Sequence, residues 1–261
     1  MVFCSHGTSR MNSLGHWWRA SSAHYEYSPS HRFLEILAIA AAIALMVVMS
    51  WRLLAALAST ASLLSWACAL GAGLVGYVAA DFVSGMVHWL ADRFGTPDTP
   101  VLGEAFIRPF REHHDFPKRI THHDFVEVNG NNSLVLLLVL APAAWMLPAQ
   151  LDAAWLAFGS FFVSFPLAIF MTNQFHKWAH MDEVPAVVAW MQRRGLILSP
   201  RAHDRHHTAP FETDYCITSG WLNPLLERFQ LFARCERFLR RRPPQQTPAE
   251  HHEPACPPPS V

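Results

Sequence analysis

The sequence is poor in charged residues. Asp, Glu, Lys and Arg make up 15% of its 261 residues, and their formal charges sum to zero when histidine is neutral. Because neither sign is in excess to attract a nucleic acid or an acidic protein, we expect no nucleic-acid partner. Hydrophobic residues, by contrast, make up 51% of the chain and gather in long runs. This composition indicates an integral membrane protein.

Several common metal-binding motifs are also missing. The five cysteines form no C-x-x-C pair and have no regular spacing, and neither an H-E-x-x-H nor a Glu-x-x-His pattern occurs. The sequence therefore does not indicate a disulfide framework, an iron–sulfur cluster, a zinc-protease helix or the carboxylate site of soluble di-iron bundles. It also contains no haem-binding or ferredoxin-like segment.

Long apolar runs divide the chain into membrane spans. The runs 33–58 and 63–90 are long enough to cross the ~30 Å hydrocarbon core of a bilayer, and 155–172 is a further good span. The run 134–147 is short, so on length alone it could be re-entrant. We therefore expect an all-α, multi-span integral membrane protein with about four transmembrane helices.

Polar segments lie at both ends of this apolar region. We expect residues 1–31 to be a polar cytosolic tail, 32–240 to be the membrane domain, and 241–261 to be a disordered Pro-rich tail. The segment 184–198 mixes large apolar residues with arginine, a pattern typical of a helix that lies in the membrane interface.

Basic residues fall almost entirely on one side of a four-span arrangement. Three precede the first span, one lies at the first turn, five lie in the 93–132 loop, none in the 148–154 turn and eleven after the last span. Because Lys and Arg mark cytosolic segments, both termini and the long loop are predicted to be cytosolic. The membrane would be a bacterial inner membrane or the endoplasmic reticulum.

Histidines gather at the same predicted face. The segment 201–207 holds three imidazoles at positions i, i+3 and i+4, which share one face of a helix and are expected to converge on a single metal ion. Another pair is spaced i, i+4 in the segment 176–180. The histidines at this face are His88, His113, His114, His122, His123, His176, His180, His203, His206 and His207.

The number of imidazoles bears on which metal is bound. A structural zinc ion needs four ligands and a catalytic one typically three, so ten histidines are too many for one zinc. Eight or nine nitrogens would serve two ions with open positions for a small molecule, and imidazole suits iron. The pattern favours a cytosolic, histidine-rich di-metal cap of the kind found in membrane fatty-acid desaturases and hydroxylases.

Six segments of the sequence resemble the plasmanylethanolamine desaturase family. They are GMVHWLAD (85–92), FIRPFREHH (106–114), HDFVEVNG (123–130), TNQFHKWAH (172–180), HDRHH (203–207) and CITSGWLN (216–223). The resemblance covers about residues 76–240. It implies a membrane lipid desaturase domain that converts a 1-O-alkyl ether phospholipid to the vinyl ether lipid (plasmalogen). A related plant plastid branch desaturates an acyl chain instead.

The resemblance also implies the site and its partners. Asp92 and Asn173 are second-rank candidate ligands because each is positioned to complete a ligand shell. His122 is also second-rank, because the family often has a different, basic residue at that position. Two iron ions are the implied cofactors and dioxygen is the co-substrate. The implied partners are a membrane phospholipid substrate and an external electron donor of the cytochrome b5 or ferredoxin type. The histidines at motif positions, and hence the implied metal ligands, are His88, His113, His114, His123, His176, His180, His203, His206 and His207.

Two other functions stay open at this point. An acyl-lipid desaturase would need the same oxidising centre, so the histidine spacing does not distinguish it from an ether-lipid desaturase. A membrane metal transporter, a different class, would place ionisable ligands near the bilayer midplane. Only Asp81 is placed in this way.

The predicted sidedness can be tested with reporters fused after Leu239 and within the 93–132 loop. Both reporters should be cytosolic, because the basic residues and the candidate ligands share that side. Reporters on opposite faces of the membrane would place the ligands in two compartments and contradict the four-span topology.

Overall fold

The regular structure is helical throughout the part of the chain that the computed structural model describes, which is residues 29–100, 103 and 107–240. This confirms the all-α prediction. A short 3-10 helix, Pro117–His122, lies between the third and fourth α-helices. The α-helices are α1 (Pro29–Ser59), α2 (Leu63–Arg93), α3 (Arg108–Asp115), α4 (Phe125–Met146), α5 (Ala153–His180), α6 (Ala186–Arg193), α7 (Pro200–His206), α8 (Asn223–Arg228) and α9 (Leu231–Leu239).

Four of these helices, α1, α2, α4 and α5, are long and apolar enough to cross a membrane. The chain is therefore an integral membrane protein with the predicted number of spans. The two predicted tails fall mainly outside the described residues, at 1–28 and 241–261. Residues 29–31 of the predicted N-terminal tail form the first turn of α1.

The start of α4 lies in a segment that the sequence analysis treated as loop. Asp124 caps the helix by accepting a hydrogen bond from the Glu127 amide at 3.0 Å. Asn129 donates to the Phe125 carbonyl at 2.9 Å, and Ser133 donates to the Asn129 carbonyl at 2.8 Å. The Asn129 amide group and the Ser133 hydroxyl thus donate to the helix's own backbone, which lowers the cost of burying them among apolar neighbours. The short run 134–147 is thus part of a 22-residue helix.

The four long helices form a bundle in which successive spans run in opposite directions, so α1 is parallel to α4 and α2 is parallel to α5. α2 packs along α5, α1 packs along α4, and α5 also contacts α1 and α4. A core cluster that includes Met46, Met49, Leu140 and Phe170 joins α1, α4 and α5. The N-terminal ends of α1 and α4 meet through the Arg32–Asp124 ion pair. The same end of the bundle receives the C-terminal ends of α2 and α5, which carry the predicted ligands.

Close packing of α2 on α5 depends on a glycine at the contact. A Cβ atom at Gly76 would lie 2.9 Å from the Phe161 carbonyl oxygen and 3.0 Å from the Phe165 amide nitrogen. Both of these atoms belong to the backbone of α5, so they cannot move aside as a flexible side chain would. At Gly73, one turn earlier on α2, nothing lies within 4 Å of the added atom.

Gly76→Ala should therefore lower the melting temperature of the purified protein in detergent, because it forces α2 and α5 apart at a cost of about 1–3 kcal/mol. The matched control is Gly73→Ala, which adds the same methyl group to open space and should leave the melting temperature unchanged or slightly raised. Equal destabilisation by the two substitutions would contradict the α2–α5 packing.

Candidate metal centre

Side chains from four helices meet at one end of the bundle. They form two groups, and within each group one potential ligand atom per residue lies within 4.8 Å of the others. The first group, site A, contains five histidines, and the second, site B, contains three histidines and one carboxylate. The members of site A are His113, His176, His180, His203 and His207, and those of site B are His88, Asp92, His114 and His206.

In site A the ring nitrogens point at one another. His203 Nε2 lies 2.8 Å from His176 Nε2 and 3.0 Å from His207 Nε2. His180 Nε2 lies 3.3 Å from His176 Nε2. One ring nitrogen cannot satisfy several others with a single proton, whereas a cation at the point of convergence would satisfy them all.

In site B three imidazoles surround one carboxylate oxygen. Asp92 Oδ2 lies 3.4 Å from His88 Nε2, 3.2 Å from His114 Nε2 and 3.4 Å from His206 Nε2. Three nitrogen ligands and one oxygen ligand form a donor set that suits a divalent transition metal. Asp92, only a second-rank candidate from the sequence, thus lies at the centre of this group.

The helical period divides the ligands between the two sites. Histidines four positions apart, such as His203 and His207, belong to the same site. His206 turns to site B although it lies between them in sequence, since each residue rotates about 100° around the helix. Neighbours His113 and His114 on α3 separate for the same reason. The expectation that the α7 triplet converges on one ion is therefore corrected: α7 lies between two sites and supplies both.

The two sites are adjacent. Ring centroids of His203 and His206, one from each site, are 5.8 Å apart, and those of His114 and His207 are 5.3 Å apart. Two ions held here would lie side by side, and one small molecule could reach both of them.

Burial and unsatisfied nitrogens show that the residues fit a metal. His88 and His206 are fully buried, yet the Nε2 atoms of both have no hydrogen-bond partner, and the same is true of His113 Nε2. Leaving such atoms unpaired costs free energy, and a bound cation would remove that cost. Unprotonated imidazole is also the form that binds metals.

Burial also keeps three of these histidines, His113, His203 and His207, uncharged. Desolvation lowers the pKa of His113 and of His203 far below the usual histidine range, and the charges of neighbouring imidazoles lower the pKa further. Desolvation, followed by the nearby His180, lowers the pKa of His207 to about 3. These rings are therefore neutral at physiological pH, with a lone pair free for coordination.

A loop between α7 and α8 fixes two of the site B rings. Residues 213–222, which we call the strap, run without helical structure across the ends of α2 and α7. His88 Nδ1 donates to the Tyr215 carbonyl at 3.1 Å, and His206 Nδ1 donates to the Thr213 carbonyl at 2.7 Å. Because a carbonyl can only accept, each ring carries its proton on Nδ1 and turns a free Nε2 towards Asp92.

Three residues from the predicted set lie outside both sites. His123 Nδ1 lies 2.6 Å from Glu127 Oε1, and the His123 carbonyl accepts a hydrogen bond from Lys177. His122 is exposed at the end of the 3-10 helix. Asn173 donates to the Val128 carbonyl at 3.0 Å and so links α5 to α4.

The fold and the two sites define a multi-span helical membrane protein with a histidine-rich centre that could hold two metal ions. The lipid desaturase domain family matches residues 77–247, so the chain belongs to that family. No solved structure matches the chain.

Known relatives agree with this membership. Over 213 residues the chain is 47% identical to "Plasmanylethanolamine desaturase" of Myxococcus xanthus, a match covering 82% of this chain and 73% of that protein. It is 44% identical over 176 residues to "Plasmanylethanolamine desaturase 1" of Mus musculus, covering 64% and 63% of the two chains. "Fatty acid desaturase 4, chloroplastic" of Arabidopsis thaliana is 37% identical over 167 residues, with 63% and 50% covered. The resemblance noted from the motifs is confirmed.

Single-ligand variants should fall into two classes when metal bound to the purified protein is measured. His180→Ala removes a ligand of site A and His206→Ala one of site B, so each should weaken the binding of one ion by about 10-fold or more. His123→Ala is the matched control, and it should retain both ions because its ring lies outside both sites. Loss of both ions in the His123 variant would show that the ligand set is wrong.

Proposed function

We propose that this chain converts a 1-O-alkyl ether phospholipid to the corresponding vinyl ether lipid, as a di-iron plasmanylethanolamine desaturase. The observation that carries the proposal is the pairing of sites A and B at one end of a membrane bundle, in a chain of the lipid desaturase family. The names of the two relatives at 47% and 44% identity support the ether substrate.

Iron is the metal that this donor set and this reaction favour. Eight imidazoles and one carboxylate, with no cysteine among them, form a nitrogen-rich set that suits iron better than a structural zinc site. Removal of two hydrogens from a saturated chain requires a strong oxidant, and zinc has no redox chemistry. Bound iron would supply that chemistry by activating dioxygen.

The overall reaction balances with an external donor. Carbons 1 and 2 of the alkyl chain each lose one hydrogen and together give up two electrons. Two further electrons and two protons come from outside, so that dioxygen is reduced to two waters. The chain holds no haem-binding or ferredoxin-like motif, and an external cytochrome b5 or ferredoxin would deliver the electrons.

The protein's own residues hold and shield the reacting centre. Four helices and the strap fix the rings, and the buried His88, His203 and His206 keep bulk water away from the inner side of the site. His180 and His207 are only half-buried, so we place the electron donor's approach on their side. The basic residues counted along the chain support a cytosolic position for this face and for both termini.

An acyl-lipid desaturase is the second candidate. The relative named as a chloroplastic fatty acid desaturase, at 37% identity, supports it. The metal transporter is less well supported, because the two sites lie at the ends of the spans and not at mid-depth. Asp81, which is placed deeper, accepts hydrogen bonds from three backbone amides and is not a free ligand.

The ether and acyl reactions are separated by expressing the chain in a host that makes alkyl ether phospholipids but no vinyl ethers. Mild acid hydrolyses a vinyl ether to a long-chain aldehyde and leaves alkyl ethers and acyl esters intact. We expect aldehyde in acid-treated lipid extracts, and its formation should require oxygen.

The matched control for this experiment is His203→Ala, which removes a site A ligand and should abolish the aldehyde while the chain still inserts into the membrane. A new double bond in an ester-linked acyl chain, without aldehyde, would overturn the ether assignment and leave the metal assignment standing. Full activity of protein that holds zinc and no iron would overturn the metal assignment.

A further inference from the structure

We infer that Asp81 is a positioning residue for the metal ion of site B. The structure points to a chain of contacts in which Asp81 holds the strap and the strap holds His88 and His206 of site B. Loss of Asp81 should therefore weaken metal binding at site B more than at site A. The inference rests on the proposed function only in that site B binds a divalent transition metal.

Asp81 is a fully buried carboxylate within the membrane span α2. Its Oδ1 accepts hydrogen bonds from the amides of Ser219 at 2.7 Å and Gly220 at 2.9 Å, and its Oδ2 accepts one from Leu222 at 3.1 Å. No lysine or arginine pairs with it among the residues that the structure describes. Hydrogen bonds from three backbone amides thus stabilise the buried Asp81 carboxylate in place of a paired cation.

The middle of the strap, at Cys216 and Ile217, is held by side chains from α2 and α8. Ser84, one turn after Asp81, accepts a hydrogen bond from the Ile217 amide at 3.1 Å. The Asn223 side chain accepts from the Cys216 amide at 2.9 Å and donates to the Cys216 carbonyl at 3.1 Å. A Cβ atom at Gly85 would lie 2.5 Å from Cys216 Sγ, so the strap lies directly against α2.

The two carbonyls that orient site B lie just before these fixed residues in the chain. The Tyr215 carbonyl, next to Cys216, accepts a hydrogen bond from His88 Nδ1. The Thr213 carbonyl, two residues earlier, accepts one from His206 Nδ1. A shift of the strap would remove the acceptors that set both the tautomer and the direction of the two Nε2 atoms. Partners of this kind typically change metal affinity by about 10–100-fold when they are removed.

The rings of site A are not oriented by hydrogen bonds to the strap. In the described part of the chain, no hydrogen bond joins the strap to an imidazole of site A. The strap reaches α5 through a 2.7 Å contact between the hydroxyls of Thr218 and Thr172, one turn before His176, and through apolar packing of Ile217 in the cluster that contains Phe175 and Ala179. The contacts therefore predict an asymmetric effect on the two ions.

The test is an anaerobic titration of the full-length, metal-free protein in detergent with cobalt(II), whose absorption spectrum reports its coordination. The wild type should bind two ions. Asp81→Ala should bind one ion as the wild type does and the other about 10-fold more weakly, because all three amide contacts are lost. Asp81→Asn keeps one acceptor oxygen and should have a smaller effect on the same ion.

Two further variants control for misfolding. Ser84→Ala removes the Ile217 contact and the bond from the Ser84 hydroxyl to the Asp81 carbonyl, but it keeps all three contacts of the Asp81 carboxylate, so it should weaken the same ion only slightly. Glu35→Gln neutralises another fully buried carboxylate, which lies on α1 beside Gly130 of α4, and it should leave both ions unchanged. A melting curve of each variant shows whether the chain is folded.

The outcomes separate this inference from the proposed function. Equal weakening of both ions by Asp81→Ala and Ser84→Ala, or no weakening of either ion, would overturn the positioning role. A wild type that binds two ions but makes no vinyl ether would overturn the proposed reaction and leave the role of Asp81 intact. A wild type that binds no cobalt(II) would refute the metal centre and the inference together.

Discussion

The structure depends on holding many imidazole nitrogens together in a buried space. Site A brings the Nε2 atoms of His176 and His207 to 2.8 and 3.0 Å from that of His203, and site B arranges three more imidazoles around one carboxylate. Nitrogens this close cannot all be satisfied by the single proton that each neutral ring carries. A cation at the point of convergence satisfies all of them together. The ends of four helices and the strap are arranged to meet that requirement.

Helix geometry explains why two sites form and not one large one. Ligands spaced by four positions on α2, α5 and α7 point the same way, so each such pair serves a single ion. Adjacent ligands diverge by about 100°, so α3 supplies one histidine to each ion. α2 and α5 run alongside each other and place their pairs at the same end of the bundle. Two adjacent groups of ligands are thus a direct result of the helical repeat and the packing of α2 on α5.

Much of this arrangement could be predicted from the sequence, because hydrophobic runs and i, i+4 histidine pairs are local signals. Hydrophobic runs predict the four spans, and helical spacing predicts the ligand pairs of α5 and α7. The other histidines of the two groups were expected from the family resemblance, and the structure brings eight of the predicted histidines together. The division of the α7 triplet, the position of His123 outside both sites and the central place of Asp92 depend on how helices rotate against one another. The role of Asp81 could not be predicted either, since its partners are backbone amides of a segment more than a hundred residues later. Its burial in an apolar run was the one local signal.

The metal centre does not by itself decide between the two candidate substrates. Relatives named for an ether lipid and for a fatty acid both match this chain. The oxidation in both cases removes hydrogens from two neighbouring carbons of a long chain, so the ligands have no reason to differ. Discrimination must then come from residues that contact the oxygen next to the reacting carbons or fix the depth at which the chain enters. The proposed ether reaction takes place directly beside the ether oxygen, at carbons 1 and 2. The distance between a bound headgroup and the metal centre, set by the helix ends around it, would therefore decide which carbons of the chain can react.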